Sequence, residues 1–368
     1  MGNLSSKPKT VTDAQIRIGS EISAVRAKGG VNTTFFTQTN SAPALQTNQS
    51  FLVNICPLTA YLGGYLGPPE HIMDANVYLQ TAFAAGIRSF VLPITTYLNP
   101  SKVPPVWPYS GTPMLVARDT SDTIISVNGI SLEQFITAIL EYKSVSGYTG
   151  EPILLFLEDA LSDIDRSKMN YVKFMKTIAG QLQALDPYRV TTAGSYGSIV
   201  GGKNQKKLLT EIPLSFFTNK IVIFTNFDTA QDDTQSLASY ANFIYSPTNN
   251  TLPVREMALE DVKGSTVNLV ASARTNWLIA KSKAPLTLPT TATIQGALAS
   301  GIQCIPIPLL AVPMADVADV WRLWNGASYS LKQENARYTS PSPVVPAAPS
   351  LRLNASIQGK EPGTLVVG

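Results

Sequence analysis

Histidine decides which chemistries are open to this chain, and the chain has one. Among 368 residues the single imidazole is His71. A serine triad, a zinc site built on histidines, or a phosphodiesterase with paired imidazoles each needs at least one well-placed histidine and usually two. His71 follows Gly67-Pro68-Pro69-Glu70, a loop-like stretch in which a lone imidazole is expected to be a solvated surface group. The two cysteines, Cys56 and Cys304, are too few for a disulfide framework or a four-thiolate zinc site. Both sit in apolar runs and are expected to be buried free thiols. That leaves carboxylates. Asp119, Glu158, Asp159 and Asp228 close or come just after strand-like runs, where they either converge on a rebuilt oxygen-ligand site or cap the next helices. Capping is the expectation for the aspartates.

Positioning such residues takes a regular scaffold, and the punctuation from about residue 50 supplies one. Short β-rich runs appear at 51–56, 88–94, 113–117, 152–158, 220–226, 242–246, 267–271 and 302–310. Several are apolar at nearly every position, as strands covered on both faces are. Helices are expected at 13–28, at 74–86 with Asp74 as cap, at 131–142 opened by Ser131, and at 167–184 opened by Ser167. Strands alternating with helices argue for a parallel sheet, and eight runs argue for closure into a TIM-type (β/α)8 barrel. On this pattern alone an open doubly wound sheet competes nearly equally. Closure makes a testable demand: runs 51–56 and 302–310 must then share a ladder.

The ends read differently from the middle. The organisation is an N-terminal arm at 1–49, a barrel at 50–338 and an extended Pro-rich tail at 339–368, rich in Ser-Pro and Pro-Ala-Ala-Pro. Met1-Gly2-Asn3-Leu4-Ser5-Ser6 fits an N-myristoylation signal on Gly2, whose single acyl chain would bind a membrane only weakly. Charged residues make up 14% of the chain and the formal charge is +3, too little excess for a nucleic-acid footprint. With no secretory leader pattern and no run of about 18 apolar residues, an intracellular, non-secreted protein is expected.

Several segments, in order, resemble the phosphatidylinositol-specific phospholipase C barrel. Pro57-Leu58-Thr59-Ala60-Tyr61-Leu62 is similar to that family's Ser-His-Asn-Thr-Tyr-Leu, and Gly86-Ile87-Arg88-Ser89-Phe90-Val91-Leu92-Pro93 to its Gly-x-Arg-x-Leu-Glu-Leu-Asp. Gly111–Thr120 stands where Pro-x-Val-x-His-Gly-x-Thr is expected, and Glu151–Glu158 is similar to Tyr-Pro-Val-Ile-Leu-Ser-Leu-Glu. Lys220–Asn226 is similar to Lys-x-Leu-Ile-Lys-x-Lys, and Gly326–Lys332 to Gly-x-Gly-Tyr-Val-Leu-Lys. The likeness covers about 50 to 335.

Carried over residue by residue, the resemblance implies that Leu58 and Ala117 occupy the two histidine places. Thr59, Val91 and Pro93 stand at calcium-ligand places, with Glu158 the one ligand kept, and Phe224 and Asn226 replace phosphate-holding lysines. A non-catalytic barrel is therefore expected: not an enzyme, without cofactor or metal, acting as a structural or interaction module. Its partners would be proteins met through the arm and tail and a membrane surface met through Gly2, with no nucleic acid. A component of a large assembly such as a virion shell would combine these features. The alternatives are a phosphodiesterase with a relocated metal site and a lipid-headgroup binder, for which Arg118, Lys203, Lys206 and Lys207 offer cations.

Overall fold

The computed structural model describes residues 9–27, 46–96, 111–145, 150–231, 236–246, 249, 251–262, 267–325 and 327–341. Gly2 and nearly all of the Pro-rich tail lie outside the described residues. The strands are β1 (Ile55–Pro57), β2 (Thr59–Tyr61), β3 (Ser89–Ile94), β4 (Met114–Leu115), β5 (Ile130–Ser131), β6 (Ile153–Asp159), β7 (Ile221–Thr225), β8 (Phe243–Ile244), β9 (Val254–Ala258), β10 (Trp277–Lys281), β11 (Pro306–Ile307) and β12 (Tyr329–Leu331). The helices are α1 (Val11–Ala27), α2 (Ala75–Ala84), α3 (Leu132–Val145), α4 (Asp163–Lys168), α5 (Tyr171–Leu182), α6 (Gln205–Thr210), α7 (Val267–Ala273), α8 (Thr291–Ala299) and α9 (Met314–Trp321).

A parallel six-stranded sheet runs in the order β11-β2-β3-β6-β7-β8, and β9 pairs in parallel with β10. A parallel bridge from Ile279 to Cys304 joins β10 to the segment entering β11. The result is a TIM-like α/β fold. The fully closed ring is not shown, because no ladder joins β8 to β9 among the described residues.

Strand residues alternate between two apolar clusters, as a period of two dictates. Phe90, Leu92, Leu155, Leu157, Ile221, Ile223, Leu278 and Ala280 pack with the helices, in a cluster containing Tyr78, Phe135, Phe174, Ile178 and Trp321. Val91, Leu154, Phe156, Val222, Phe224, Val254, Trp277 and Ile279 pack against one another on the inner face. There Phe156 stacks on Phe224 at 4.3 Å and Phe224 on Phe243 at 4.4 Å, with Trp277 at 5.5 Å. Aromatic side chains thus fill the middle of the sheet's concave side.

Helix starts follow their caps. The Asp74 side chain accepts the Val77 N–H to open α2, and Ser131 and Gln134 exchange hydrogen bonds in a capping box ahead of α3. The expected helix at 167–184 is two helices, α4 capped by Ser162 and α5 capped by Asn170. Ser167 lies inside α4 rather than opening anything. The run 267–271, expected as a strand, is helix α7, with Val270 and Ala273 buried at helical spacing. Two parallel strands, β9 and β10, fall where none was expected.

The first strand also moves. Phe51 makes only an isolated bridge to Pro213, and Ile55–Pro57 pairs antiparallel with β12, so 51–56 and 302–310 share no ladder. The neighbour of β11 is β2, beginning at Thr59. The ladder that closure demanded between those two runs is therefore absent, and the parallel contact lies between β2 and β11 instead. Residues 51–54 form a turn against α6 and the 208–217 region, below the strands' amino-terminal ends.

Helix α1 belongs to the folded body. It buries Ala14, Ile18 and Val25. Arg17 Nε donates to the buried Glu70 at 2.7 Å and a second guanidinium nitrogen to the Leu66 carbonyl, while Glu21 accepts the Met314 N–H that opens α9. Among the described residues no helix is long and apolar enough to cross a membrane.

Candidate functional site

In parallel α/β folds, sites form at the carboxyl-terminal ends of the strands, here called the mouth. Inner-face parity selects what points there. Continuing the inner positions Leu154 and Phe156 by two gives Glu158 at the end of β6; Val254 leads to Glu256 in β9; Trp277 and Ile279 lead to Lys281, the last residue of β10. The three meet. Lys281 Nζ donates to Glu158 Oε1 at 2.8 Å and stands 2.7 Å from Glu256 Oε2. Tyr245, just past β8, directs its hydroxyl at Glu158 Oε1 at 3.4 Å.

These groups rest on the aromatic layer and are partly withdrawn from water, with side-chain exposures of 20% for Lys281, 9% for Glu158 and 16% for Glu256. Burial raises the Glu256 pKa above the ordinary carboxylate value, and the Glu158 charge adds to this while Lys281 opposes it. Burial alone would lower the Lys281 pKa; the two carboxylates outweigh it and hold the ammonium above its ordinary value. Burial, with help from Glu158, raises the Tyr61 phenol. A cavity of about 300 Å³ opens over the cluster, lined by Tyr61, Glu158, Glu256, Lys281, Ser282, Lys283, Pro285 and Pro306. A second, of about 550 Å³, shares Tyr61 and Pro285 and continues past Pro93, Thr95, Arg118, Asp119 and Ser162.

The residues expected to mark the site are scattered. Leu58 precedes β2, donates its N–H to the Ser328 carbonyl and packs in the helix-side cluster, so it sits at the wrong end of the strand for the mouth. The mouth end of that strand is Tyr61–Leu62. Ala117 is buried on the helix side, and its N–H donates to the Ser126 hydroxyl. Val91 and Phe224 are inner-face packing residues. The Asn226 side chain accepts the Asp159 N–H. Thr59 is buried and bonded to Ser89 at 2.9 Å.

Among the acidic group only Glu158 enters the cluster. Asp119 accepts the Ser121 and Thr123 N–H groups in a turn; Asp159 binds the Tyr171 hydroxyl at 2.6 Å and Arg166 at 2.9 Å; Asp228 accepts from Ala230 and Gln231. These are structural roles, and no group of three or more His, Cys, Asp or Glu that could hold a metal occurs among the described residues. Nor does calcium at the family's place fit: Val91 and Pro93 carry no side-chain oxygen, and Glu158 is engaged by Lys281.

His71 is half-buried, not a solvated group, and its Nδ1 lies 2.6 Å from the Tyr65 hydroxyl. Of the four cations, Arg118 reaches the mouth, paired with Asp122 at 2.8 Å. Lys203, Lys206 and Lys207 belong to the segment preceding β7 at the opposite end. Cys56 and Cys304 are buried free thiols.

Sequence reasoning missed Glu256, Lys281, Tyr61 and Tyr245. The signal available was a lysine closing the apolar run Trp277–Ala280.

No protein-family model matches the chain, and no curated protein does. Solved structures do. The chain is similar to PLC21 of L. pealei, with a TM-score of 0.53 at 14% identity over 89% of this chain and 45% of that one. PLC21 of S. officinalis gives a TM-score of 0.52 at 14% identity over 90% and 45%. A calcium-dependent phosphatidylinositol-specific phospholipase C enzyme from Streptomyces antibioticus gives 0.44 at 13% identity over 72% and 97%. The chain spans about 45% of the length of the two PLC21 chains. The fold is thus that of a phosphatidylinositol phospholipase C-like barrel. The expectation of a protein that is not an enzyme is overturned by the same comparison, since the structures sharing its fold are those of phospholipases C.

Proposed function

We propose that the chain is a phosphodiesterase of the phospholipase C fold in which a carboxylate–ammonium set takes the place of paired imidazoles. The observation that supports this is Lys281 held between Glu158 and Glu256 under a mouth cavity. Phosphodiester cleavage needs a group to move a proton and a group to offset charge on the phosphoryl oxygens. Glu256, protonated to a higher pH than an ordinary carboxyl, hands a proton to the leaving oxygen as a water molecule attacks phosphorus and the P–O bond to that oxygen breaks; the proton the water loses goes to solvent, which reprotonates Glu256. Lys281 supplies the positive charge. Glu158, bonded to Lys281 and facing Tyr245, fixes the ammonium's position. Acylation of Gly2, if it brings the mouth to a lipid surface, would supply substrate head groups there.

The test is turnover of phosphatidylinositol vesicles by the wild-type chain and by Glu256→Gln, which keeps the shape and removes the proton. A kcat loss of about a hundredfold or more supports the reading. Wild-type turnover by the variant would sink it.

A further inference from the structure

Two lysines line the smaller mouth cavity, and they differ in electrostatic circumstance. Lys281 is already met by two carboxylates. The Lys283 side chain is exposed, and its ammonium interacts electrostatically with the Glu260 carboxylate, whose pKa it helps to lower, without the close carboxylate contacts that Lys281 makes. An anion entering this cavity therefore meets, beside the carboxylate-paired Lys281, a second ammonium on Lys283, two residues beyond the end of β10.

The loop that carries Lys283 is fastened from outside the cavity. Glu260, in the turn after β9, takes two hydrogen bonds on one carboxylate oxygen, from the Ser282 hydroxyl at 3.0 Å and from the Lys283 N–H at 2.9 Å. The Ser282 oxygen in turn accepts the Ala284 N–H at 3.1 Å. Parallel pairing of β9 with β10, Ala258 opposite Lys281, brings the two turns side by side. Glu260 does not line the cavity; it sets the backbone from which the lysine reaches in.

We propose that Lys283 binds the phosphate oxygens of the substrate and that Glu260 is its positioning residue. This rests on the phosphodiesterase reading for its substrate class, but it concerns binding and not proton transfer. A charge-assisted contact to phosphate held in place by a fixed turn lowers the ordering cost of binding.

The experiment compares Lys283→Ala, Glu260→Ala, Glu260→Gln and the Lys283→Ala/Glu260→Ala double variant. Phosphatidylinositol vesicles give KM and kcat, and titration with inorganic phosphate gives affinity without turnover. Lys283→Ala is expected to raise KM and weaken phosphate binding about tenfold with kcat little changed. Glu260→Ala should do the same to a smaller extent, about threefold, and the double variant should match Lys283→Ala alone. Glu260→Gln, whose amide oxygen still accepts both hydrogen bonds while the negative charge interacting with Lys283 is removed, should bind phosphate at least as tightly as wild type. Unchanged KM and phosphate affinity in Lys283→Ala, a loss confined to kcat, or additive effects in the double variant would overturn the proposal. An effect on vesicles with none on inorganic phosphate would place the contact on the lipid and overturn the phosphate assignment. Glu256→Gln acts on kcat, so failure of the chemistry and failure of this binding contact read out separately.

Discussion

Lys281 and Glu158 lie 123 residues apart in sequence and 2.8 Å apart in space. One ends β10, the other nearly ends β6, and both occupy inner-face positions above a layer of stacked aromatics. Neither could be placed against the other without the curvature of the sheet. Glu256 completes the group from the neighbouring strand, so the ammonium offsets two carboxylates that burial would otherwise penalise.

Removing the cation should expose that penalty. Lys281→Met leaves two partly buried carboxylates close together, and a loss of about 2–3 kcal/mol is expected, discounted from the fully buried case because all three groups touch solvent. Denaturant unfolding checks this. The cost should shrink in a Lys281→Met/Glu256→Gln double variant, since one of the two stranded charges is then gone.

Phe224 tests the aromatic layer beneath. It touches Phe156, Phe243 and Trp277, all fully buried. Phe224→Ala should cost about 3–5 kcal/mol in chemical denaturation, as truncation of a large side chain in a packed core does. Phe224→Leu should cost distinctly less.

Lys332 gives stability a pH dependence. It is buried on β12's exit, its ammonium donating to the Ala273 carbonyl, and burial lowers its pKa to about 7, with Cys56 opposing slightly. Above that value the folded chain has lost the proton while the unfolded chain, titrating near the ordinary lysine value, keeps it. Stability should therefore rise from about pH 7 up to the ordinary lysine value of 10.5, at up to about 1.4 kcal/mol per pH unit. Below pH 7 both states are protonated and the penalty is present in full. Melting temperatures across this range check it, and Lys332→Met should flatten the slope.

The sequence made the sheet's centre legible and its second half obscure. β3, β6 and β7 were expected within one residue of where they lie, because strands covered on both faces are apolar at nearly every position. β9, Val254–Ala258, carries Arg255 and Glu256 and shows no such run. Val267–Ala271 shows one, yet folds as helix, the ambiguity that short apolar segments always carry. Losing β9 and β10 lost the site, since Glu256 and Lys281 have functional meaning only through their strand positions. Glu158 was singled out because the resemblance put a calcium-ligand carboxylate at the end of its strand. The resemblance drew attention to Leu58, but the first parallel strand begins one residue later, and its mouth end is Tyr61.

The most direct measurement is release of phosphorylated head group from phosphatidylinositol vesicles, made with excess metal chelator and again with added calcium. Because no fitting calcium ligand set exists at Thr59, Val91, Pro93 and Glu158, turnover is expected in chelator, little changed by calcium and lost in Glu256→Gln. No head-group release under either condition, or release that depends wholly on calcium, would contradict a phosphodiesterase built on Glu256 and Lys281.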